Sequence, residues 1–105
     1  MSSPYVYLPA LDDLLMEVPP ESIVSRTFYE NGQIKAILFG FAPGQELSEH
    51  TAARPAILHF LRGTARLRLG EESVSAGENT WVYMEPHLPH SVAAETPVYM
   101  LLLLL

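Results

Sequence analysis

The stretch AILHFLRGTARLRL, residues 56–69, decides the fold of this chain. Its first half is apolar except for His59, and after a turn at Gly63 apolar and polar side chains alternate strictly. Alternation with a period of two is typical of a strand that has one face in a core and the other in water. The stretch therefore predicts two strands, at residues 56–61 and 64–69.

Short runs of the same kind occur on both sides of this stretch and are separated by turn residues. They lie at residues 5–8, 22–29, 33–41, 47–52, 73–76, 80–84, 91–93 and 98–104. Asn31-Gly32, between two of these runs, is a strong hairpin signal. Roughly nine or ten short strands at this spacing predict an all-β, antiparallel sandwich or barrel.

A different pattern precedes the strands. Within residues 10–18, leucines and a valine recur at helical spacing, and Asp12 and Asp13 lie near the N-terminal end, where a helix dipole favours negative charge. We therefore expect a strand and one short helix within residues 1–20, and the barrel core within residues 37–104. No linker or internal repeat divides the chain, which predicts a single domain over residues 1–105.

Composition excludes several classes of function. Six basic residues against twelve acidic ones give a net charge of -6, which disfavours nucleic acids and anionic membranes as partners. There is no cysteine, so disulfides, thiolate nucleophiles and cysteine-ligated metals are excluded. A metal ion would have to bind to histidine, carboxylate, amide or water.

Neither end of the sequence predicts a targeting or membrane segment. The N-terminus lacks a basic region followed by an apolar run, so we expect a cytoplasmic protein. The apolar run at residues 98–105 is far shorter than the ~20 residues of a membrane-spanning helix. It is typical of a buried strand or of an edge strand covered by a second subunit, with a membrane-anchoring tail as the alternative.

All four histidines, His50, His59, His87 and His90, lie within residues 50–90. Two histidines on neighbouring antiparallel strands can meet only when both point to the same face of the sheet. His50 lies on a short strand, and His90 lies where a proline-containing loop enters a later strand. Such strand ends are where barrels open to ligands.

The spacing around these histidines resembles the cupin superfamily, and in particular its small single-domain conserved-barrel proteins (cupin type 2). Gly44, His50 after five residues and Gly63 fall in register with the first motif of that superfamily, and Gly77 and the loop before His90 resemble the second. The resemblance covers residues 37–104 and implies a jelly-roll barrel. It further implies that His50 and His90 face the barrel interior and hold a divalent metal ion as cofactor, one of Zn, Ni, Fe, Mn or Cu.

The chain departs from the first motif at two ligand positions. Ala52 stands where the motif has its second histidine, and Ala56 stands where it has a glutamate. Counting from Ala56, alternation places His59 on the outer face of its strand, unless a bulge turns it inward.

Three side chains are candidates to complete a metal site: His87, Glu46 and His59. His87 either reaches the barrel mouth from its loop or is solvated. Glu46 shares a face with His50 if that strand is regular.

Two functions therefore remain open. The first is a metal-binding barrel that binds or transforms a small organic molecule, with Glu46 or His87 transferring protons if it is an enzyme. The second is a metal-free, non-catalytic barrel that binds or senses a small ligand, in which His50 and His90 make only hydrogen bonds. Whether the protein is an enzyme is left open, although no nucleophile elbow or Ser-His-Asp arrangement is present.

The excess of apolar side chains predicts a partner. Ile57, Leu61 and the leucines of residues 101–105 cannot all point into one small barrel, because alternation sends about half of them outward. We expect a homodimer formed by the outer face of one sheet and the N-terminal segment.

Overall fold

The computed structural model describes residues 4–15 and 17–105, and nine strands in two sheets make up most of it. The strands are β1 (Ile23–Glu30), β2 (Lys35–Phe41), β3 (Glu46–His50), β4 (Ala56–Arg62), β5 (Ala65–Leu69), β6 (Glu72–Ala76), β7 (Trp81–Met84), β8 (His90–Ala94) and β9 (Val98–Leu104). One sheet has the order β1-β2-β9-β4-β7 and the other β3-β8-β5-β6, and all described pairings are antiparallel. The predicted all-β, antiparallel fold is confirmed.

The chain passes from one sheet to the other within the stretch at residues 56–69. β4 belongs to the five-stranded sheet and β5 to the four-stranded sheet, and Gly63 between them has a φ of 88°. A Cβ at Gly63 would overlap the carbonyl oxygen of Pro97, so the crossing requires glycine for space as well as for its backbone angle.

The core lies between the two sheets and follows the predicted alternation. β4 and β5 contribute side chains that are at most 2% exposed, namely Ala56, Leu58, Phe60, Ala65 and Leu67. The intervening side chains of β5, Arg66 and Arg68, face water. Burial of apolar area on this scale is the main stabilising term of such a fold.

The C-terminal apolar run is a central strand. β9 lies between β2 and β4, with Val98 and Met100 in the core and Leu101 and Leu103 on the opposite face of the sheet. It is thus the buried strand that its composition favours. No helix in the described part of the chain is long and apolar enough to cross a membrane.

The N-terminal segment agrees only in part with its expected structure. Residues 5–8 form no strand, and the helix expected at residues 10–18 is only a 3-10 turn at Leu11–Leu14, while Met16 lies outside the described residues. Ala10 supplies no side-chain cap for a longer helix. A helix as short as residues 10–18 is also only marginally stable in water by itself.

Contacts with the sheet hold the N-terminal segment instead. Leu15 and Val18 pack onto the outer face of β2 at Gly40, where an added Cβ would lie 2.6 Å from Val18 Cγ2. Asp12 forms a 2.6 Å ion pair with Arg62. These contacts fix a largely extended segment on the outside of the five-stranded sheet.

Candidate ligand site

His50 and His90 face each other across the pair of strands β3 and β8. Leu47 pairs with Val92 and His50 with His90, so β3 has one more residue than β8 between these two pairs. This extra residue is a β-bulge, which changes the face that the following side chain occupies. Both Leu47 and His50 therefore point to the inner side, where Val92 and His90 also lie.

The same type of backbone contact orients both imidazole rings. His50 Nδ1 lies 2.8 Å from the carbonyl oxygen of Ser48, and His90 Nδ1 lies 2.8 Å from that of Leu88. Because a carbonyl oxygen only accepts, Nδ1 of each ring must carry the proton and donate it. In the neutral rings, Nε2 therefore keeps its lone pair. The centroids of the two rings are 4.2 Å apart.

The two histidines differ in their exposure. His90 is 7% exposed and lies between His50 on β3 and Leu69 on β5, whereas His50 is exposed at the end of the edge strand β3. Burial lowers the pKa of His90 below its usual value of 6.5. The hydrogen bond with Leu88 acts in the opposite direction, and the positive charge of a protonated His50 lowers the pKa further.

Glu46 does not share the face of His50. It pairs with Ala93, whose neighbours Val92 and Ala94 are buried, so Glu46 lies on the outer side of the four-stranded sheet. The expectation to the contrary assumed a regular strand, and the bulge between Leu47 and His50 breaks that regularity.

His87 lies in the loop that leads to β8. Leu88 N donates to Glu85 O at 3.4 Å across a turn, in which His87 has a left-handed φ of 69°. His87 N donates to the carbonyl oxygen of Ala52 at 2.7 Å, which joins this loop to the loop after β3. The exposed His87 is therefore held near the end of the barrel that carries the histidine pair.

His59 lies away from the pair, as alternation from Ala56 predicts. It is opposite Trp81 on β7 and Leu101 on β9, on the outer face of the five-stranded sheet. Ala56 itself is 2% exposed and belongs to the apolar core, so this position offers no ligand atom.

The described residues therefore bring two of the five predicted ligand candidates together. Within residues 4–15 and 17–105, no three His, Asp or Glu side chains form a group that could hold a metal ion. Sequence reasoning missed the bulge and the two matching Nδ1 contacts, because neither has a signal in residue type or spacing.

Two cavities lie outside the barrel. One, of about 530 Å³, is between the N-terminal segment and the outer face of the five-stranded sheet, and the other, of about 380 Å³, includes Val18, Arg62 and Tyr99. Neither is lined by His50 or His90. The histidine pair lies on the other sheet, with its exposed member on the edge strand β3.

Known structures share this architecture. A cupin superfamily protein from Desulfitobacterium hafniense is 22% identical, with a TM-score of 0.85 over 93% of this chain and 88% of that chain. A conserved protein of unknown function from Streptococcus pyogenes is 25% identical, with a TM-score of 0.78 over 95% and 90%. A cupin 2 conserved barrel domain protein from Leptotrichia buccalis is 23% identical, with a TM-score of 0.83 over 90% and 46%.

A comparison with curated proteins finds no match. The family model described as the AraC-like ligand binding domain matches residues 36–105, which is well over half of the chain and includes both histidines of the pair. The chain therefore belongs to the AraC-like ligand binding domain family, and it shares the fold of the cupin structures described above.

Proposed function

We propose that this barrel binds a divalent metal ion through Nε2 of His50 and His90, and binds or transforms a small organic molecule beside the ion. The observation that carries the proposal is the matching orientation of the two rings. Each Nδ1 donates to a carbonyl oxygen two residues back, which leaves both Nε2 atoms as lone-pair donors on the same face. Metal-ligating histidines are commonly oriented in this way.

The chemistry of this donor set limits the candidates and the affinity. Imidazole nitrogens suit Zn, Ni, Cu and Fe, and Mn also accepts them beside oxygen ligands. Two protein ligands leave several coordination positions for water and for oxygen or nitrogen atoms of the organic molecule. The ion and a chelating molecule should therefore bind more tightly together than either does alone.

His87 is the side chain that we propose as a further ligand. Its backbone is tied to Ala52 beside the pair, and its imidazole is exposed. Glu46 and His59 lie on outer faces and are less suitable.

A metal-free barrel that binds or senses a small ligand is the second candidate function. Within residues 4–15 and 17–105 no third His, Asp or Glu side chain is grouped with the pair, which favours this function, as do the alanines at positions 52 and 56. In this case the two Nε2 atoms accept hydrogen bonds from hydroxyl or amino groups of the ligand.

Metal content distinguishes the two functions. Wild type, His50→Ala and His90→Ala are dialysed against Zn²⁺ and analysed for bound metal, and His59→Ala serves as the control on the outer face. The proposal predicts about one Zn²⁺ per chain in wild type and His59→Ala, and loss of that ion in the other two variants. Equal Zn²⁺ in all four proteins, or none in wild type, would contradict metal binding at the pair.

We also propose that the protein is a homodimer and acts in the cytoplasm. Exposed apolar side chains on one sheet support the homodimer, and light scattering at micromolar concentration tests it. The absence of cysteine supports the location, since the fold needs no oxidising compartment. Cell fractionation tests the location.

A further inference from the structure

The outer face of the four-stranded sheet carries two arginines side by side. Arg66 and Arg68 lie on β5, an inner strand of that sheet, and their neighbours Ala65 and Leu67 are buried in the core. Alternation therefore places both guanidinium groups on the opposite side, in water, on Cα atoms that are about 7 Å apart. They are two of only six basic residues in a chain that has twelve acidic ones.

The side chains around these arginines are small and mostly carry hydroxyl groups. The cross-strand neighbours are Ser75 and Ala93 for Arg66, and Ser73 and Ser91 for Arg68. We call these six residues the arginine patch. Serine and alanine are too short to cover a guanidinium, so both arginines stay exposed with three hydroxyl groups beside them.

No ion pair neutralises the arginine patch. Within residues 4–15 and 17–105, the only ion pair joins Arg62 to Asp12, and Arg62 lies on the other sheet. Glu46 on β3 and Glu95 after β8 flank the patch, but neither is paired with its arginines. The two positive charges on β5 therefore repel each other, and an anion bound between them would offset that repulsion.

Contacts within the chain direct both guanidinium groups toward β6 and the turn before it. Arg66 Nη1 donates to Ser75 Oγ at 2.7 Å, and Arg68 Nε donates to the carbonyl oxygen of Gly70 at 3.4 Å. A guanidinium has five N–H groups, so each arginine keeps further donors for a ligand. Because these contacts already restrain the side chains, less conformational entropy is lost when a ligand binds.

This combination of groups matches a phosphate group. The N–H groups of arginine bind phosphate oxygens in pairs, and serine hydroxyls can donate to further oxygens. A nucleic acid or an anionic membrane would bring many negative charges against a chain with a net charge of -6. A single phosphate group requires positive charge only where it binds.

We propose that the arginine patch binds a dianionic phosphate group, either as inorganic phosphate or as part of a small phosphomonoester. Arg66 and Arg68 hold its oxygens with their N–H groups, and the hydroxyl of Ser73 donates to it from β6. The site is separate from the proposed metal site, because the patch and His90 lie on opposite faces of the four-stranded sheet.

A titration of inorganic phosphate into the protein tests this site, with ¹H–¹⁵N NMR following the backbone amides and the arginine Nε–H groups. A chelator prevents phosphate from binding through a metal ion, and at pH 8 phosphate is mainly the dianion. We expect saturable shifts in the arginine patch, and none in a titration with NaCl at equal ionic strength. Shifts that do not saturate, or that NaCl reproduces, would overturn the proposal.

Matched variants test whether the two arginines carry the binding. Arg66→Gln and Arg68→Gln each remove one exposed guanidinium from the patch, and Arg62→Gln makes the same change in charge on the other sheet. We expect each patch variant to weaken phosphate binding about five- to tenfold, and Arg62→Gln to leave it unchanged. NMR spectra of the variants without phosphate confirm that they fold. Wild-type affinity in both patch variants would overturn the assignment.

Phenyl phosphate distinguishes the two sources of the phosphate group. It carries the same dianionic group on an apolar ring, and the exposed patch leaves room for that ring in solvent. Binding at least as tight as that of inorganic phosphate supports a phosphomonoester as the ligand, and weaker binding supports the free ion. Failure of both compounds to bind would overturn the proposal.

Discussion

His50 and His90 are opposite each other in the β3–β8 ladder, with ring centroids 4.2 Å apart and each Nδ1 held by a carbonyl oxygen two residues back. The β-bulge between Leu47 and His50 makes this pairing possible, because without it His50 would point away from the barrel interior. The bulge thus determines which polar side chain of β3 lies beside His90.

Stability without metal should fall as the pH drops below the usual histidine pKa. Burial lowers the pKa of His90 in the folded chain below 6.5, the value expected when the chain is unfolded. From pH 6.5 down to that lowered pKa, the unfolded chain therefore binds more protons, and the free energy of unfolding decreases. Urea denaturation at pH 7.5 and 5.5 in a chelator, compared between wild type and His90→Asn, measures the effect.

Between pH 7.5 and pH 5.5, the free energy of unfolding should decrease less in His90→Asn than in wild type. His59→Asn is the control, since this residue lies on the outer face of the other sheet. An identical pH dependence in wild type and His90→Asn would show that the burial of His90 has no effect on stability.

Replacing His87 by glycine should stabilise the chain. The left-handed φ of 69° is unfavourable for a side chain with a Cβ and is readily adopted by glycine. We expect His87→Gly to raise the free energy of unfolding by about 0.5–1 kcal/mol, after allowing for the greater backbone entropy of glycine when unfolded. Glu85→Gly in the same loop, where φ is not positive, should lower it instead. A destabilised His87→Gly would mean that the imidazole makes a stabilising contact.

Two glycines with similar backbone angles should respond differently to alanine. Gly44 and Gly63 have φ values of 81° and 88°, but only at Gly63 would a Cβ meet other atoms within 4 Å. We expect Gly44→Ala to cost about 1–2 kcal/mol from backbone strain, and Gly63→Ala to cost about 2–4 kcal/mol because Pro97 must also move. Chemical denaturation of both variants measures the difference. Equal losses of unfolding free energy in the two variants would show that the chain between β4 and β5 accommodates a Cβ at residue 63 without an additional energetic cost.

The strands could be predicted because each depends on a local pattern. β9 was predicted at its observed bounds from the apolar run at residues 98–104, and the alternation at residues 64–69 identified the inner side chains of β5. Period-two burial leaves such a pattern in the sequence because each strand has a core face.

The remaining features depend on contacts between distant parts of the chain. The leucines near residue 11 have helical spacing, but they pack on the outer face of a sheet whose strands come later in the sequence. The orientation of Glu46 and His50 depends on one extra residue in β3, which only the pairing with β8 reveals. Strand position and the motif resemblance therefore singled out both histidines of the pair, whereas the placement of Glu46 assumed a regular strand that the structure does not have.

The measurement that tests metal binding most directly follows the four imidazole rings by ¹H–¹⁵N NMR during a Zn²⁺ titration. Before Zn²⁺ is added, His50 and His90 should both carry their proton on Nδ1. During the titration, Nε2 of both rings should shift together and saturate at about one Zn²⁺ per chain, while His59 should not change. The histidine pair is not a metal site if the Nε2 signals of His50 and His90 do not shift during the titration. The same conclusion follows if Nε2, and not Nδ1, carries the proton before Zn²⁺ is added.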